Sequence, residues 1–233
     1  MPFLPAETVE GLISGRDDDP FRVLGEHRSG GRSVARAFVP GATRLRVTDL
    51  RSRPLGELTR THPAGFFEGP IRARRQRGPL RYEASAGDHA WAFVDAYSFG
   101  PVLGPLDDYF VSEGTHLRLF DRLGAHVMTH EGVTGVHFAV WAPNARRVAV
   151  VGDFNDWDGR RHIMRRRATA GVWEIFLPDV AEGARYKFEI LGYDGRLTLK
   201  ADPFAFFSEL RPATASIVRR IDELSEERID VNF

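Results

Sequence analysis

The chain has 233 residues, 42% hydrophobic and 27% charged, a globular composition with room for one large core or two small ones. Lys plus Arg and Asp plus Glu both total 32, and this formal neutrality argues against a general nucleic-acid or anionic-membrane binder. Cysteine is absent, which excludes disulfides, zinc–thiolate sites and cysteine nucleophiles and fits a reducing cytoplasm.

The first segment, "MPFLPAETVEGLISGRDDDP", has no basic stretch followed by an apolar core, so it does not read as a signal peptide. No window is apolar over the length of a membrane span. Val9, Leu12 and Ile13 fall on one helical face and Gly15 supplies a stop, so a short N-terminal helix is expected. From about Arg32 the pattern changes to short apolar runs cut by Gly, Pro, Asn and Asp. Strands are expected over residues 34–39, 45–50, 66–71, 81–84, 135–141, 147–151, 172–176 and 186–191. A short amphipathic helix is expected in the tail around Ile217, Ile221 and Leu224.

The chain repeats itself. "AFVPGATRLRV" from Ala37 matches "VWAPNARRVAV" from Val140, with Pro40 on Pro143 and Val47 on Val150. "GFFEG" at Gly65 matches "GVWEI" at Gly171, "RYE" at Arg81 matches "RYK" at Arg185, and "DAYSF" at Asp95 matches "DPFAF" at Asp202. The order and near-constant spacing imply a duplicated module, each copy near the ~100 residues of an immunoglobulin-like sandwich. The expected fold is all-β: two tandem immunoglobulin-like antiparallel β-sandwiches with a short N-terminal helix, over residues 1–108 and 109–218, then a tail over 219–233. The Gly- and Pro-containing segment "FGPVLGPLDDYFVSEGTHLRLFDRLG" is expected to connect them. After Val150 the second copy has "VGDFNDWDGRRH", where the first has only "TDLRSRPLGEL". A loop present in one copy of a shared scaffold points to an added function.

Catalytic signatures are absent: no G-x-S-x-G, no phosphate-binding loop, no dinucleotide fingerprint and no paired carboxylates of glycosidase type. The aspartates of "DFNDWDG" fail the calcium-loop template, since its fifth position is Trp157 and its twelfth is Met164. His126 and His130 are read as surface residues, and the Arg runs at 72–77 and 165–167 as solvated faces. No metal or cofactor is expected. Trp157 is the strongest lead. Indole offers a flat apolar area to the C–H face of a sugar, and nearby Asn, Asp and Lys side chains, Asn155 among them, can bond hydroxyls. The alternative is a tryptophan packed on another domain or over its own sandwich.

"GVHFAVWAPNARRVAVVGDFNDWDGRRHIM", "GVWEIFLP", "YKFEILG" and "LKADPFAF…RPATASIV" resemble the N-terminal region of bacterial 1,4-α-glucan (glycogen) branching enzymes, and "DPFRVLGEH" and "RAFVPGA" resemble the segment before it. The resemblance extends to about Val218 and implies two glycogen-binding-type sandwiches in tandem. In that family they precede an α-amylase-type barrel that carries catalysis, so this chain, ending at Phe233 without a barrel, is expected to be inactive alone. Related glycogen-binding modules of the AMP-activated kinase β subunit stack sugars on two tryptophans, helped by a lysine and a threonine-containing loop. The resemblance carries those roles to Trp157, Lys187, Thr214 and Ser216, while the second tryptophan is missing and "YDGRLTLK" offers Arg196 and Leu197. The implied partners are a weakly bound α-glucan and the barrel. A purely bracing region and a regulatory interaction module are the rivals.

Overall fold

The computed structural model describes residues 4–75 and 77–220. The first half contains α1 (Ala6–Ile13), β1 (Gly25–Ser29), β2 (Arg32–Phe38), β3 (Arg44–Asp49), β4 (Pro54–His62), β5 (Phe66–Pro70), β6 (Leu80–Ala86) and β7 (His89–Val94). They form one antiparallel sheet in the order β1-β2-β5-β4-β3-β6-β7. β4 makes it a sandwich. Residues 54–58 of this strand pair with β3 and residues 59–62 pair with β5, so one strand serves both layers. Between the layers lie Ala35, Ala37, Leu45, Val47, Leu58, Phe67, Leu80 and Tyr82, contributed by strands of both.

The second half contains α2 (Pro105–Ser112), β8 (Gly124–His130), β9 (Val133–Trp141), β10 (Ala145–Gly152), β11 (Arg165–Arg167), β12 (Val172–Pro178), β13 (Arg185–Gly192), β14 (Leu197–Lys200), β15 (Phe207–Ser208) and β16 (Ser216–Ile217). One sheet runs β11-β12-β9-β8; the other runs β10-β13-β16-β15, with β14 also on β13. Val136, Phe138 and Val140 of β9 and Trp173, Ile175 and Leu177 of β12 face Val148, Val150, Tyr186 and Phe188 across the gap. The buried Trp173 keeps its indole N–H satisfied by donating to the Ala142 carbonyl at 3.0 Å. The fold is therefore all-β, two antiparallel sandwiches with short helices. The tail helix expected from Ile217 onward meets a strand at Ser216–Ile217; Ile221 and Leu224 lie outside the described residues.

The duplication reaches further than the sequence comparison. The segment between the sandwiches carries a second helix, α2, and a second copy of the turn that follows α1. His27 Nε2 donates to the Leu24 carbonyl at 2.8 Å, and His126 Nε2 donates to the Leu123 carbonyl at 3.0 Å. Between them sit Gly25 and Gly124, both with φ in the left-handed range (86° and 103°). A Cβ there would come within 2.9 Å of the Tyr97 carbonyl oxygen in one copy and 3.1 Å of the Phe204 carbonyl oxygen in the other, so glycine is required twice for one reason.

The two sandwiches are in direct contact. The Tyr97 hydroxyl donates to the Arg161 carbonyl at 3.2 Å and accepts the Ile163 N–H at 3.0 Å. The Arg165 guanidinium lies 3.9 Å over the Phe21 ring and donates to the Phe99 carbonyl at 2.9 Å. Tyr97→Phe leaves the Ile163 N–H without its partner, and we expect about 1–2 kcal/mol of lost stability, read from the urea midpoint. An unchanged midpoint would mean that water replaces the hydroxyl at no cost.

Candidate functional site

The tryptophan loop leaves β10 at Gly152 and returns beside it. The Val150 N–H donates to the His162 carbonyl at 3.1 Å and the Met164 N–H to the Val148 carbonyl at 2.9 Å. Its hub is Asn155. The Asn155 Oδ1 accepts the Gly152 N–H at 2.9 Å, and Nδ2 donates to the Val150 carbonyl and to His162 Nδ1, each at 2.9 Å. Burial holds the His162 ring far below its ordinary pKa, at about 3, so it is neutral and its Nδ1 is free to accept.

Two consecutive non-glycine residues, Asp156 (φ 57°) and Trp157 (φ 58°), adopt the left-handed conformation. That costs about 1–2 kcal/mol per residue. The Trp157 N–H offsets part of it by donating to the Gly152 carbonyl at 3.1 Å, and the Asp158 N–H donates to the Asn155 carbonyl at 3.1 Å. Strained backbone of this kind concentrates at ligand-binding positions. Its effect here is to lift the indole out of the sandwich, where it is 38% exposed.

The three loop aspartates are all engaged by arginines. Asp156 pairs with Arg161 at 2.8 Å and Asp158 with Arg160 at 2.7 Å, stapling the loop to itself. Asp153 accepts from the Trp157 indole N–H at 3.3 Å and is clamped by Arg185 at 2.8 and 3.1 Å. The Arg185 hydrogen bond holds the Asp153 carboxyl below its ordinary pKa, so it remains an acceptor for the indole. Arg185 also reaches Glu209 at 3.3 Å, which ties the 209–215 loop to the same bracket.

Alternation along β13 puts Arg185, Lys187, Glu189 and Leu191 on the outer face of the five-stranded sheet, opposite the core residues Tyr186 and Phe188. Lys187 Nζ donates to the exposed Thr214 hydroxyl at 2.7 Å. Glu189 binds the buried Arg147 at 2.6 Å, and Arg147 donates to the Gly159 carbonyl under the loop at 2.9 Å. A Cβ on Gly159 would lie 2.0 Å from Glu189 Oε1, so a side chain there would push the Glu189 carboxylate off its place on Arg147. β14 adds Leu197, which is more than half exposed. Trp157, Arg147, Glu189, Leu191 and Leu197 line a groove of about 420 Å³, whose far wall is residues 14–16 at the end of α1.

Of the residues singled out in the sequence, Trp157, Lys187 and Thr214 are accessible. Trp157 is in the groove, while Lys187 and Thr214 lie outside its lining, Lys187 one outward position along β13 from the groove residue Glu189. Asn155 and Ser216 do not suit direct sugar contact. Asn155 is fully buried with its amide committed to the loop, and Ser216 is buried with its hydroxyl accepting the Asp202 N–H at 2.9 Å. Both hold the scaffold. Arg147, Glu189 and the wall from α1 were missed. The alternation in "RYKFEILG" carried a signal for Glu189; the wall from the other sandwich had none.

Two tandem sandwiches, the second with an exposed tryptophan over its outer sheet, define an accessory region of the carbohydrate-binding class. Residues 122–205 match the family model of carbohydrate-binding module 48 (isoamylase N-terminal domain), and residues 5–97 match that of the α-1,4-glucan branching enzyme N-terminal domain. Between them the two matches span most of the chain, which corresponds to the N-terminal region of branching enzymes. The chain is 60% identical over 215 residues to the 1,4-alpha-glucan branching enzyme GlgB of Mesorhizobium japonicum, and 57% identical over 215 residues to GlgB 1 of Rhizobium etli. Each alignment covers 92% of this chain and 29% of the relative, so the chain spans less than a third of those enzymes. Among solved structures, a maltotriose complex of a Klebsiella pneumoniae pullulanase mutant aligns with a TM-score of 0.39 and 21% identity, over 79% of this chain and 23% of that one. Among the described residues no helix is long and apolar enough to cross a membrane.

Proposed function

We propose that the chain is an α-glucan-holding accessory region, with modules over residues 1–108 and 109–218, serving an enzyme of the cytoplasm that moves α-1,4-glucan segments to 6-hydroxyls and so makes α-1,6 branches. The chemistry belongs to a barrel that these residues do not supply. The observation that carries the reading is the held-out indole: a strained backbone and the Asp153–Arg185 bracket keep Trp157 at the surface when burial would be its default. A sugar ring laid on that face meets Leu197 along the groove, and hydroxyls reaching past Glu189 along β13 meet Lys187 Nζ and the Thr214 hydroxyl. One aromatic face in place of two makes the affinity weak.

Native electrophoresis through a glycogen-containing gel tests this. Wild type is expected to be retarded, and Trp157→Ala to lose about tenfold in apparent affinity, the equivalent of one aromatic contact. Equal mobility of wild type and variant would sink the glucan reading. It would favour the bracing role, for which the wall at residues 14–16 is the supporting observation: the loop also joins the two sandwiches.

A further inference from the structure

The first module holds a groove remote from the tryptophan loop. Its two sides come from segments about twenty residues apart in the chain: the β3–β4 turn, with Arg51 and Arg53, and the β5–β6 loop, with Arg72, Arg74, Arg75 and Arg77. Six arginines thus line one groove of about 940 Å³ in a chain with no net charge, against two lining carboxylates, Asp49 and Glu131.

Those carboxylates are already engaged. Asp49 pairs with Arg53 at 2.8 Å and accepts the N–H groups of Arg51 and Arg53, each at 2.9 Å. Glu131 accepts the Gly100 N–H at 2.8 Å. Behind the lining, Glu26 pairs with Arg74 and, at 3.7 Å, with Arg77. Among the described residues Arg51, Arg72 and Arg75 have no ion-pair partner, and the buried Arg74 Nε has no hydrogen-bond acceptor. Several guanidinium groups therefore converge with unused donors.

The stem of the arginine loop is fixed. The Ile71 N–H donates to the Ser33 carbonyl at 3.0 Å and the Arg72 N–H to the Leu55 carbonyl at 2.8 Å. Arg74 Nη2 donates to the Gly78 carbonyl at 3.0 Å and closes the loop on itself. Leu50, Pro54, Leu55 and Pro79 give the groove an apolar flank. Guanidinium forks match phosphate oxygens in pairs, and two facing rows suit a ligand with more than one phosphate. The volume lies in the range of small-molecule sites.

We infer that this groove binds a small diphosphate-bearing ligand, its phosphates between the arginine rows. Such a group comes from inorganic pyrophosphate or from a nucleoside diphosphate, whose base would use the apolar flank.

Isothermal titration of the full chain with pyrophosphate, ADP, orthophosphate and adenosine decides this. Pyrophosphate and ADP are expected to bind one to one, with orthophosphate about tenfold weaker and adenosine silent. ADP tighter than pyrophosphate assigns the flank to a nucleoside; equal affinities assign the site to the diphosphate alone. Arg72→Glu/Arg75→Glu, and separately Arg51→Glu on the opposite side, should each cost about tenfold or more, while Arg146→Glu in the second module changes nothing. If the double variant fails by circular dichroism to fold, Arg51→Glu alone decides the question. Three results overturn the inference: no saturable heat with pyrophosphate or ADP, unchanged binding in Arg51→Glu, or equal loss in Arg146→Glu.

Discussion

Glu174→Ala is expected to destabilise the chain by about 3–5 kcal/mol, the cost of breaking a buried charged network by removing one partner. Glu174 sits on β12 and is almost wholly buried. Its Oε2 accepts the N–H groups of Val102 and Leu103, each at 3.0 Å, and lies 3.1 Å from His137 Nε2. Its Oε1 has Arg167 at 3.4 Å. One carboxylate therefore fastens the segment before α2 to the second sandwich and satisfies the amide groups of half-buried Val102 and buried Leu103. Alanine leaves those amides orphaned and Arg167 with Asp108 alone. Urea denaturation gives the loss directly, and hydrogen exchange at Val102 and Leu103 should rise with it. Glu174→Gln keeps an acceptor oxygen and should lose less. A loss below about 1 kcal/mol in the alanine variant would mean that water enters and replaces the carboxylate.

The same residue has a pH signature. Burial works to raise its pKa, but the His137 bond and charge and the two amide donors outweigh burial and hold the carboxyl below its ordinary 4.5. The unfolded chain then binds the proton more readily than the folded one. The stabilisation from Glu174 is complete above the unfolded pKa and is lost as pH falls through the lower folded value.

The first module has a counterpart at the duplicated position: Glu68, matched to Glu174 by "GFFEG" and "GVWEI", pairs with buried Arg36 at 3.2 Å. Pattern matching found this repeat because strands that fill a sandwich core keep their apolar spacing. It found β2, β3, β5, β6, β9, β10, β12 and β13 for that reason. It missed β4, whose exposed and half-buried residues shift between two partners with no clean alternation, the outer strands β1, β7 and β8, and the short strands β11, β14, β15 and β16. It missed α2 because no residue of α2 is buried, so the helix leaves no apolar stripe to read. Of the candidate site, Trp157 was legible as a large aromatic on a polar loop, whereas Lys187 and Thr214 came only through the family resemblance. Asn155 was read as a sugar contact because a polar residue in such a loop looks available, and Ser216 because the resemblance carried it. The fold commits both to internal hydrogen bonds, and burial of that kind has no sequence signature.

Asp95→Asn is expected to act in the opposite direction, raising stability at neutral pH. Asp95 is buried where the first module meets the second, beside Tyr97. Its Oδ1 accepts the Tyr97 N–H at 3.1 Å and its Oδ2 the Ser98 hydroxyl at 2.7 Å. The Tyr82 hydroxyl lies between it and the Arg36 carbonyl, 3.4 Å away. Burial still wins over these donors and pushes the carboxyl from 3.8 to about 6. Between those values the folded chain binds the proton that the unfolded chain has released, so stability falls as pH rises from about 4 to about 6 and stays lower above. A shift of this size corresponds to roughly 3 kcal/mol. Asparagine keeps an acceptor for Tyr97 and turns a donor toward Ser98, with no charge to desolvate. The difference between variant and wild type should therefore be near zero at pH 4 and grow to about 2–3 kcal/mol by pH 7.5 in urea titrations. Asp202, which accepts from the Tyr186 hydroxyl at 2.5 Å in the second module, is raised in the same sense by burial and is unchanged in this variant, so it contributes equally to both curves. Parallel curves would show that the Asp95 charge is already solvated. A widening gap would show that the first module carries an uncompensated buried charge at the point where it grips the second.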